Sequence, residues 1–465
     1  MKLVMKFGGS LLAGDRGINR VVRIVKAAAR GNKVVVVVSA IGDTTEILLD
    51  AAEASKSWDS SRIDSVMTRI GRIHTHALRG SGLGGEELKA VLTTSEELLE
   101  NLKLTLTGVS ILGELSPRSV DLIVSYGERL AAPIVAAALV SSGVTSVALT
   151  GGEAGILTDA SYGEAVPDMK RTRVRLRRKI EPMLSKGVVP VVTGFIGQTS
   201  SGDMTTLGRG GSDYTATIVA DSLGADEVWI WTDVDGIMTA DPRLVKESRV
   251  LDSISYPEAE EMAFFGAKNM HPLALGPARL KKIPVRIKNG FKPELSGTKI
   301  SDEEKRSSRV VKAVALVKNV GMITVSGESM VGRPGTAARV FGSLGEASIN
   351  VLMISQSASE LNMSIVVRRQ ALHRAAKVVS EALKRSGVDA NILLDPEVSV
   401  LAAVGAGMRE TPGVGSKILT AVSRAGVNVK MIVQGSTELN LSLVVREEDA
   451  ENALSALHSA IIARR

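Results

Sequence analysis

The chain of 465 residues contains no cysteine, which excludes disulfide bonds, thiol nucleophiles and thiolate metal sites. Aromatic residues make up only 3%, too few for the stacking platforms of a single-stranded nucleic-acid binder. The five histidines are scattered; His74 and His76 lie close together but lack a third ligand at a useful spacing, so no zinc site is read there. Long apolar runs are missing as well, and those present, such as Val34–Val38, are strand-sized and not expected to cross a membrane. The first residues are strand-like and show no signal-peptide pattern, so a cytoplasmic location is expected. What is there is a globular balance, 44% hydrophobic and 23% charged, with a net charge of +7 from 57 Lys plus Arg against 50 Asp plus Glu. Such a charge suits anionic small substrates at least as well as nucleic acid. The densest basic run, Lys170–Lys179, falls in a helix-like segment and reads as a solvated face.

The length fits about two to four domains. Residues 1 to 300 alternate short apolar runs with helical patterns, which predicts an α/β domain with a mostly parallel sheet. Strands are expected at Leu3–Lys6, Lys33–Ser39, Ser146–Leu149, Val188–Phe195, Val228–Thr232 and Pro284–Lys288, and several helices between Thr44 and Leu112. A charged stretch at 301–310 reads as a linker. Residues 311–465 then repeat themselves: Asn350, Gln356, Glu360 and Asn362 recur at the same spacing as Asn428, Gln434, Glu438 and Asn440, and Pro334–Gly335 recurs as Pro412–Gly413. Each copy, around 320–393 and 397–465, reads strand, helix, strand, strand, helix, an α+β module. The second copy lacks a last strand, which 311–317 can supply if the modules are interleaved. Asn350, Gln356, Asn428 and Gln434 are candidate ligand contacts, although Gln and Asn favour such turns anyway and common descent explains their repetition equally well.

Several loops that follow strands carry chemistry. In Thr206–Ala216, glycine amides can line an anion nest, Arg209 offers a planar fork for a carboxylate and Asp213 a fixed charge for an ammonium. Lys6–Ser10 places a cation and the pair Gly8–Gly9 at a strand end, suited to phosphate. The lysine precedes the glycines, unlike the Walker pattern. Ser39–Thr45 follows the second strand, Ser125–Arg129 opens a helix bearing Glu128, and Trp231–Arg243 is rich in turn formers and charge. Lys268 is a further candidate cation. No histidine or carboxylate dyad offers itself as a general base, and a carboxylate nucleophile with a pKa of about 4 needs none.

In Lys6–Gly9, Gly127–Glu128, Thr193–Gly197, Thr205–Thr215, Trp231–Arg243, Phe265–Lys268 and His271–Pro272 the chain resembles the aspartate kinases of the amino acid kinase fold, over essentially its whole length. The resemblance implies an amino acid kinase domain followed by two ACT modules of ferredoxin-like type. It implies ATP-dependent phosphorylation of the aspartate side-chain carboxylate to β-aspartyl phosphate, the first step toward lysine, threonine and methionine, under amino-acid feedback. By the same resemblance Lys6 and Asp213 are catalytic. Ser39, Thr45, Glu128, Arg209, Gly210, Gly211, Ser212 and Asp213 bind aspartate, and Lys6, Gly8, Gly9, Ser10, Thr232, Asp233, Met238, Arg243 and Lys268 bind ATP. Asn350, Gln356, Asn428 and Gln434 would bind an effector, threonine in preference to lysine. Mg²⁺ would travel on the nucleotide with no dedicated protein metal site, and the chain would form a homodimer or larger homo-oligomer without nucleic-acid or membrane partners. Ser10 replaces the family's usual Thr, and Met238 a frequent Tyr. The rivals are another kinase of this scaffold, acting on acetylglutamate, glutamate, carbamate or a nucleoside monophosphate, and a non-catalytic amino-acid sensor.

Overall fold

Valines buried on both faces of Lys33–Val38 mark a strand from the middle of a covered parallel sheet. The computed structural model describes residues 1–57, 60–265, 272–303 and 310–462, and divides them into two compact units. The first comprises residues 1–237, 252–256 and 272–303; the second comprises 238–251, 257–265 and 310–462.

The first unit begins β1 (Lys2–Phe7), α1 (Gly9–Leu12), α2 (Gly17–Ala29), β2 (Lys33–Val38), α3 (Thr44–Ser55), α4 (Ser60–Gly80), α5 (Gly85–Leu112) and α6 (Pro117–Ser141). It continues β3 (Ser146–Leu149), α7 (Gly151–Ala154), α8 (Met169–Ser185), β4 (Val189–Thr193), the hairpin β5 (Ile196–Gln198) and β6 (Met204–Thr206), α9 (Gly211–Leu223) and β7 (Glu227–Thr232). Then come β8 (Ser253–Ser255), α10 (Tyr256–Phe264), which from residue 257 onward belongs to the second unit, α11 (Pro272–Leu280), β9 (Val285–Asn289) and β10 (Thr298–Ser301). The sheet order is β3-β4-β2-β1-β7-β9-β10-β8. From β3 to β9 all neighbours are parallel, so their C-terminal ends share one edge. Side chains alternate across β1: Leu3, Met5 and Phe7 join the core built with α2, while Lys6 points the other way, toward α9. Helices α3 to α5 and the first half of α6 pack a separate core around Leu48, Ile70 and Leu102.

Three expectations are corrected. The strand expected at Val188–Phe195 ends at Thr193, because Phe195 turns into the left-handed region (φ 67°) with its N–H donated to Thr215 Oγ1 at 3.0 Å. Of the stretch 301–310 expected as a linker, Ser301 instead pairs within β10, and residues 304–309 lie outside the described residues. And one helix, α6, is long and apolar enough to cross a membrane (mean hydropathy 1.5), although 78% of that window is buried inside the protein, as befits a core helix.

The second unit contains β11 (Ala313–Ser326), α12 (Thr336–Glu346), β12 (Val351–Gln356), β13 (Asn362–Arg368), α13 (Leu372–Arg385), β14 (Asn391–Val404), α14 (Val414–Arg424), β15 (Met431–Gln434), β16 (Asn440–Arg446) and α15 (Ala450–Leu457). The strand order β12-β13-β11-β14-β16-β15 interleaves the two repeats. Residues 313–317 of β11 pair with 400–404 of β14 in the second module, whereas 320–326 pair with β13 in the first. The join is a bulge at Lys318–Asn319, with Asn319 at φ 59°. Strands β12 and β15, at the two ends of this order, come within 8 Å of each other between Cα atoms. Residues 238–251 are stitched into the same unit: Thr239 Oγ1 meets His458 Nε2 at 2.9 Å, Val314 N–H donates to Thr239 O at 2.8 Å, and Arg249 Nη2 donates to Ile462 O at 2.7 Å.

Candidate active site

The shared edge of the parallel strands in the first unit gathers the chemistry. Lys6, next to last in β1, projects its ammonium to 2.6 Å from Asp213 Oδ1 in the first turn of α9. The same ammonium lies 3.8 Å from where a Cβ on Gly8 would stand, over the turn that leaves the strand. A side chain at Gly9 would strike Ala40 O at 2.5 Å; its absence lets this turn nest against the loop after β2, and Gly42 N–H donates to Gly9 O at 3.1 Å. Gly210, at φ 73°, makes the left-handed turn that starts α9 and sets Asp213 facing β1.

Glu128 reaches the same loop from the middle of α6, which starts at Pro117 and not at Ser125–Arg129 as expected from the sequence. It is 3% exposed; Oε1 accepts the Ala40 N–H at 3.1 Å and Oε2 has no partner among the described residues. Burial pushes its carboxyl up to about 8, against the smaller opposing effects of the Ala40 N–H and the Lys6 charge. This carboxyl is therefore largely neutral at pH 7. Ser39 follows β2, its N–H donated to Phe7 O at 3.1 Å, and Thr45 lies in the first turn of α3. Gly211 and Ser212 open α9, with Ser212 packed against Gly194 at the end of β4. Arg209 is exposed at the mouth of this loop, its guanidinium without a partner among the described residues. Ser10 is exposed in the short α1, and Thr232 Oγ1 donates to Asp233 Oδ1 at 3.2 Å where β7 leaves the sheet.

Met238 and Arg243 belong to the second unit, where Asp241 holds the Arg243 guanidinium through Nε and Nη2. Lys268 and His271 lie outside the described residues. Asn350 and Asn428 are exposed ahead of β12 and β15, and Gln356 and Gln434 are exposed at the ends of those strands. Gln434 and Glu438 line a cavity of about 400 Å³ with Pro412 and Gly413 at the start of α14. The repeated glutamates are structural: Glu360 Oε2 accepts the Gly332 N–H and Glu438 Oε2 the Glu410 N–H, each at 2.8 Å. One positioning residue was not anticipated. Asp121, buried in α6, accepts the N–H groups of Gly163 and Thr206 and the Thr206 hydroxyl, so it fixes the start of the 206–216 loop. Its only trace in the sequence is a carboxylate, one of two with Glu128, inside a mostly apolar helix.

A cation over a glycine turn, a buried carboxyl and an exposed guanidinium on one edge of a parallel sheet, followed by a tandem α+β repeat, define a small-molecule phosphotransferase of the amino acid kinase type with appended ACT modules. Comparison with known proteins agrees: the amino acid kinase family matches residues 1–289, and the ACT domain matches 323–383 and 401–461. Aspartokinase 3, chloroplastic, of Arabidopsis thaliana is 33% identical over 98% of this chain and 81% of its own length. Bifunctional aspartokinase/homoserine dehydrogenase 1, chloroplastic, of the same plant is 34% identical over 98% of this chain, and the chain spans about half (50%) of that relative's length. The crystal structure of E. coli aspartokinase III in complex with aspartate and ADP superposes with a TM-score of 0.83 at 29% identity, covering 99% of this chain and 100% of the other. The chain belongs to the aspartokinases of the amino acid kinase family.

Proposed function

We propose that this chain transfers the γ-phosphoryl group of ATP to the side-chain carboxylate of L-aspartate, giving 4-phospho-L-aspartate. The observation that carries the reading is Lys6, held 2.6 Å from Asp213 over the Gly8–Gly9 turn, with the unsatisfied Glu128 carboxyl beside it. The aspartate and ADP bound in the E. coli neighbour support the same pair of substrates here. The attacking carboxylate is already ionised near neutral pH, so the barrier lies in bringing two anions together. Lys6 offsets the charge on the transferring group, Asp213 aims Lys6, Glu128 takes the substrate ammonium, and Arg209 clamps its α-carboxylate. Cations and amides at this edge fit phosphates that carry their own Mg²⁺, which adds charge neutralisation on the nucleotide.

The C-terminal repeat is read as the sensor of a feedback amino acid, threonine in preference to lysine, in a protein serving lysine, threonine and methionine synthesis. Its support is the cavity at Gln434 and the approach of β12 to β15, the strands that end in the repeated glutamines. Exposed Ile354 and Ile432 on those strands favour self-association into a homodimer or larger assembly. A cytoplasmic setting, where ATP and aspartate are both abundant, completes the reading. The test is ATP-dependent formation of acyl phosphate, trapped with hydroxylamine, from aspartate, glutamate or acetylglutamate, with and without threonine or lysine. Product from aspartate alone, suppressed by threonine, is expected. Product from acetylglutamate, or from none of the three, would replace this reading by a different kinase or by a non-catalytic sensor.

A further inference from the structure

The face of the first sheet opposite Lys6 holds a cavity of about 590 Å³, between α2 and the segment after β9, a size that suits a small ligand. Trp229 and Trp231 from β7 and Lys288 from β9 form its floor, and Arg20, Arg23 and Phe291 its walls. Among the described residues no acidic side chain lines it.

Two features of the floor are unfinished. Trp231 is 2% exposed, yet its indole Nε1 has no hydrogen-bond partner among the described residues. A buried indole N–H ordinarily finds one. Lys288 is 8% exposed, and its ammonium donates to Leu295 O at 2.5 Å while lying 5.2 Å and 5.6 Å from the Trp231 and Trp229 ring centres. An ammonium has three N–H donors, and among the described residues no carboxylate lies within ion-pair distance of this one. Of the two carboxylates that neighbour it, Glu227 is already taken by Arg286 and by the Trp229 indole N–H, and Glu294 makes no ion pair with it among the described residues. Burial accordingly pushes the Lys288 ammonium below its usual range. Above the floor, the Arg20 guanidinium stacks on Phe291 at 4.0 Å, and Arg23 is exposed at the rim. Rings for stacking, an unpaired buried cation and an unused N–H donor are the complement of one ligand chemistry.

We infer that this cavity is a second ligand site of the catalytic unit, and that it takes a planar aromatic anion, with the ring against the tryptophans and the acid group on Lys288. The site is separate from the Lys6 edge, since Lys6 and Trp231 lie on opposite faces of the sheet. It is nonetheless joined to that edge: Gly8 N–H donates to Trp231 O at 3.2 Å, and the Phe7 ring stacks on Trp231.

The test is calorimetric titration of the full chain with two aromatic acids, indole-3-acetate for a carboxylate and phenyl phosphate for a phosphate. Indole, acetate and inorganic phosphate serve as the matched probes lacking charge or ring. Sub-millimolar binding of at least one aromatic acid is expected, and which one binds identifies the acid group. It should weaken about ten-fold or more in Lys288→Met and in Trp229→Ala, and persist in Lys6→Met. Should Lys288→Met fail to fold, as judged by circular dichroism, Arg23→Gln at the exposed rim provides the same comparison with a several-fold loss. No heat from either acid up to about 5 mM, equal binding of the probe without ring or charge, or affinity unchanged in the cavity variants would overturn the assignment.

Discussion

Two buried glutamates, one in each unit, divide the molecule's charged interior into two kinds. Glu258 in α10 is fully buried and complete: Oε2 accepts from Lys312 Nζ at 2.6 Å and Oε1 from the Ala406 N–H at 2.7 Å. Glu128 in α6 is nearly as hidden, but Oε1 accepts a single amide N–H at 3.1 Å and Oε2 has no partner among the described residues. A satisfied buried carboxylate is architecture, holding α10 against the ends of β11 and β14. An unsatisfied one costs stability, a cost that the substrate ammonium would offset under the proposed role. Lys6 and Lys312 divide in the same way, one facing an open edge and the other closed in.

The comparison is broken most forcefully at the two lysines. Lys6→Met is expected to lower kcat for aspartyl phosphate formation by about 10³-fold or more, because it removes charge stabilisation at the transferring group. Its loss of stability should be smaller than that of Lys312→Met, because its partner Asp213 is less deeply buried than Glu258. Steady-state kinetics beside a thermal melt decides it; a loss of activity matched by unfolding would make Lys6 a structural residue. Lys312→Met should do the reverse. It strands the Glu258 carboxylate in the core and should cost about 3 kcal/mol of stability, read by urea denaturation, with kcat retained in the folded fraction.

Glu128 sharpens the contrast through pH. Its carboxyl sits near 8 in the folded chain against 4.5 unfolded, so the stability linked to its proton is fully present below about 4.5 and is lost as pH rises through 8. Glu128→Gln removes that loss and should melt higher than the parent at pH 9, with the difference vanishing toward pH 5. Under the proposed role, a substrate ammonium returns Glu128 to its charged form. Aspartate affinity should therefore rise between pH 6 and 8 in the parent, whereas the Gln variant should show roughly 10-fold weaker and pH-independent binding. A parent whose aspartate affinity is flat over that range would remove Glu128 from the site.

Much of the first unit was legible in the sequence because its strands are covered on both faces and so are written as unbroken valine-rich runs. The ends of these strands carry candidate side chains, which is why Lys6 and Asp213 could be named from their positions at a strand end and a helix start, whereas Glu128, expected where a helix opens, sits in the middle of α6. What escaped was set by contacts across long separations. Nothing local in 238–251 shows that Thr239 is held by His458 and Val314, and so that this stretch, with Arg243, belongs to the second unit. Nor does the Lys318–Asn319 interruption reveal that two apolar runs form one bulged strand serving both repeats. The Trp229–Trp231–Lys288 cavity is invisible for the same reason, since it exists only once β7 and β9 are neighbours.

The smallest expected effect lies in the repeat, where the modules themselves differ. In the first, the Arg339 guanidinium lies 3.2 Å from where a Cβ on Gly335 would stand and donates to Pro334 O, covering the start of α12. At the equivalent Gly413 nothing lies within 4 Å, and the cavity beside Gln434 stays open. If both repeats bound effector alike, Gln356→Ala and Gln434→Ala would shift inhibition equally. The open mouth argues for asymmetry: Gln434→Ala should raise the threonine concentration for half-inhibition several-fold, Gln356→Ala by less, and both should leave uninhibited kcat within about two-fold. Dose–response curves on the two variants measure this directly. A larger shift in Gln356→Ala would mean that Arg339 belongs to the effector's own binding surface and does not cover it.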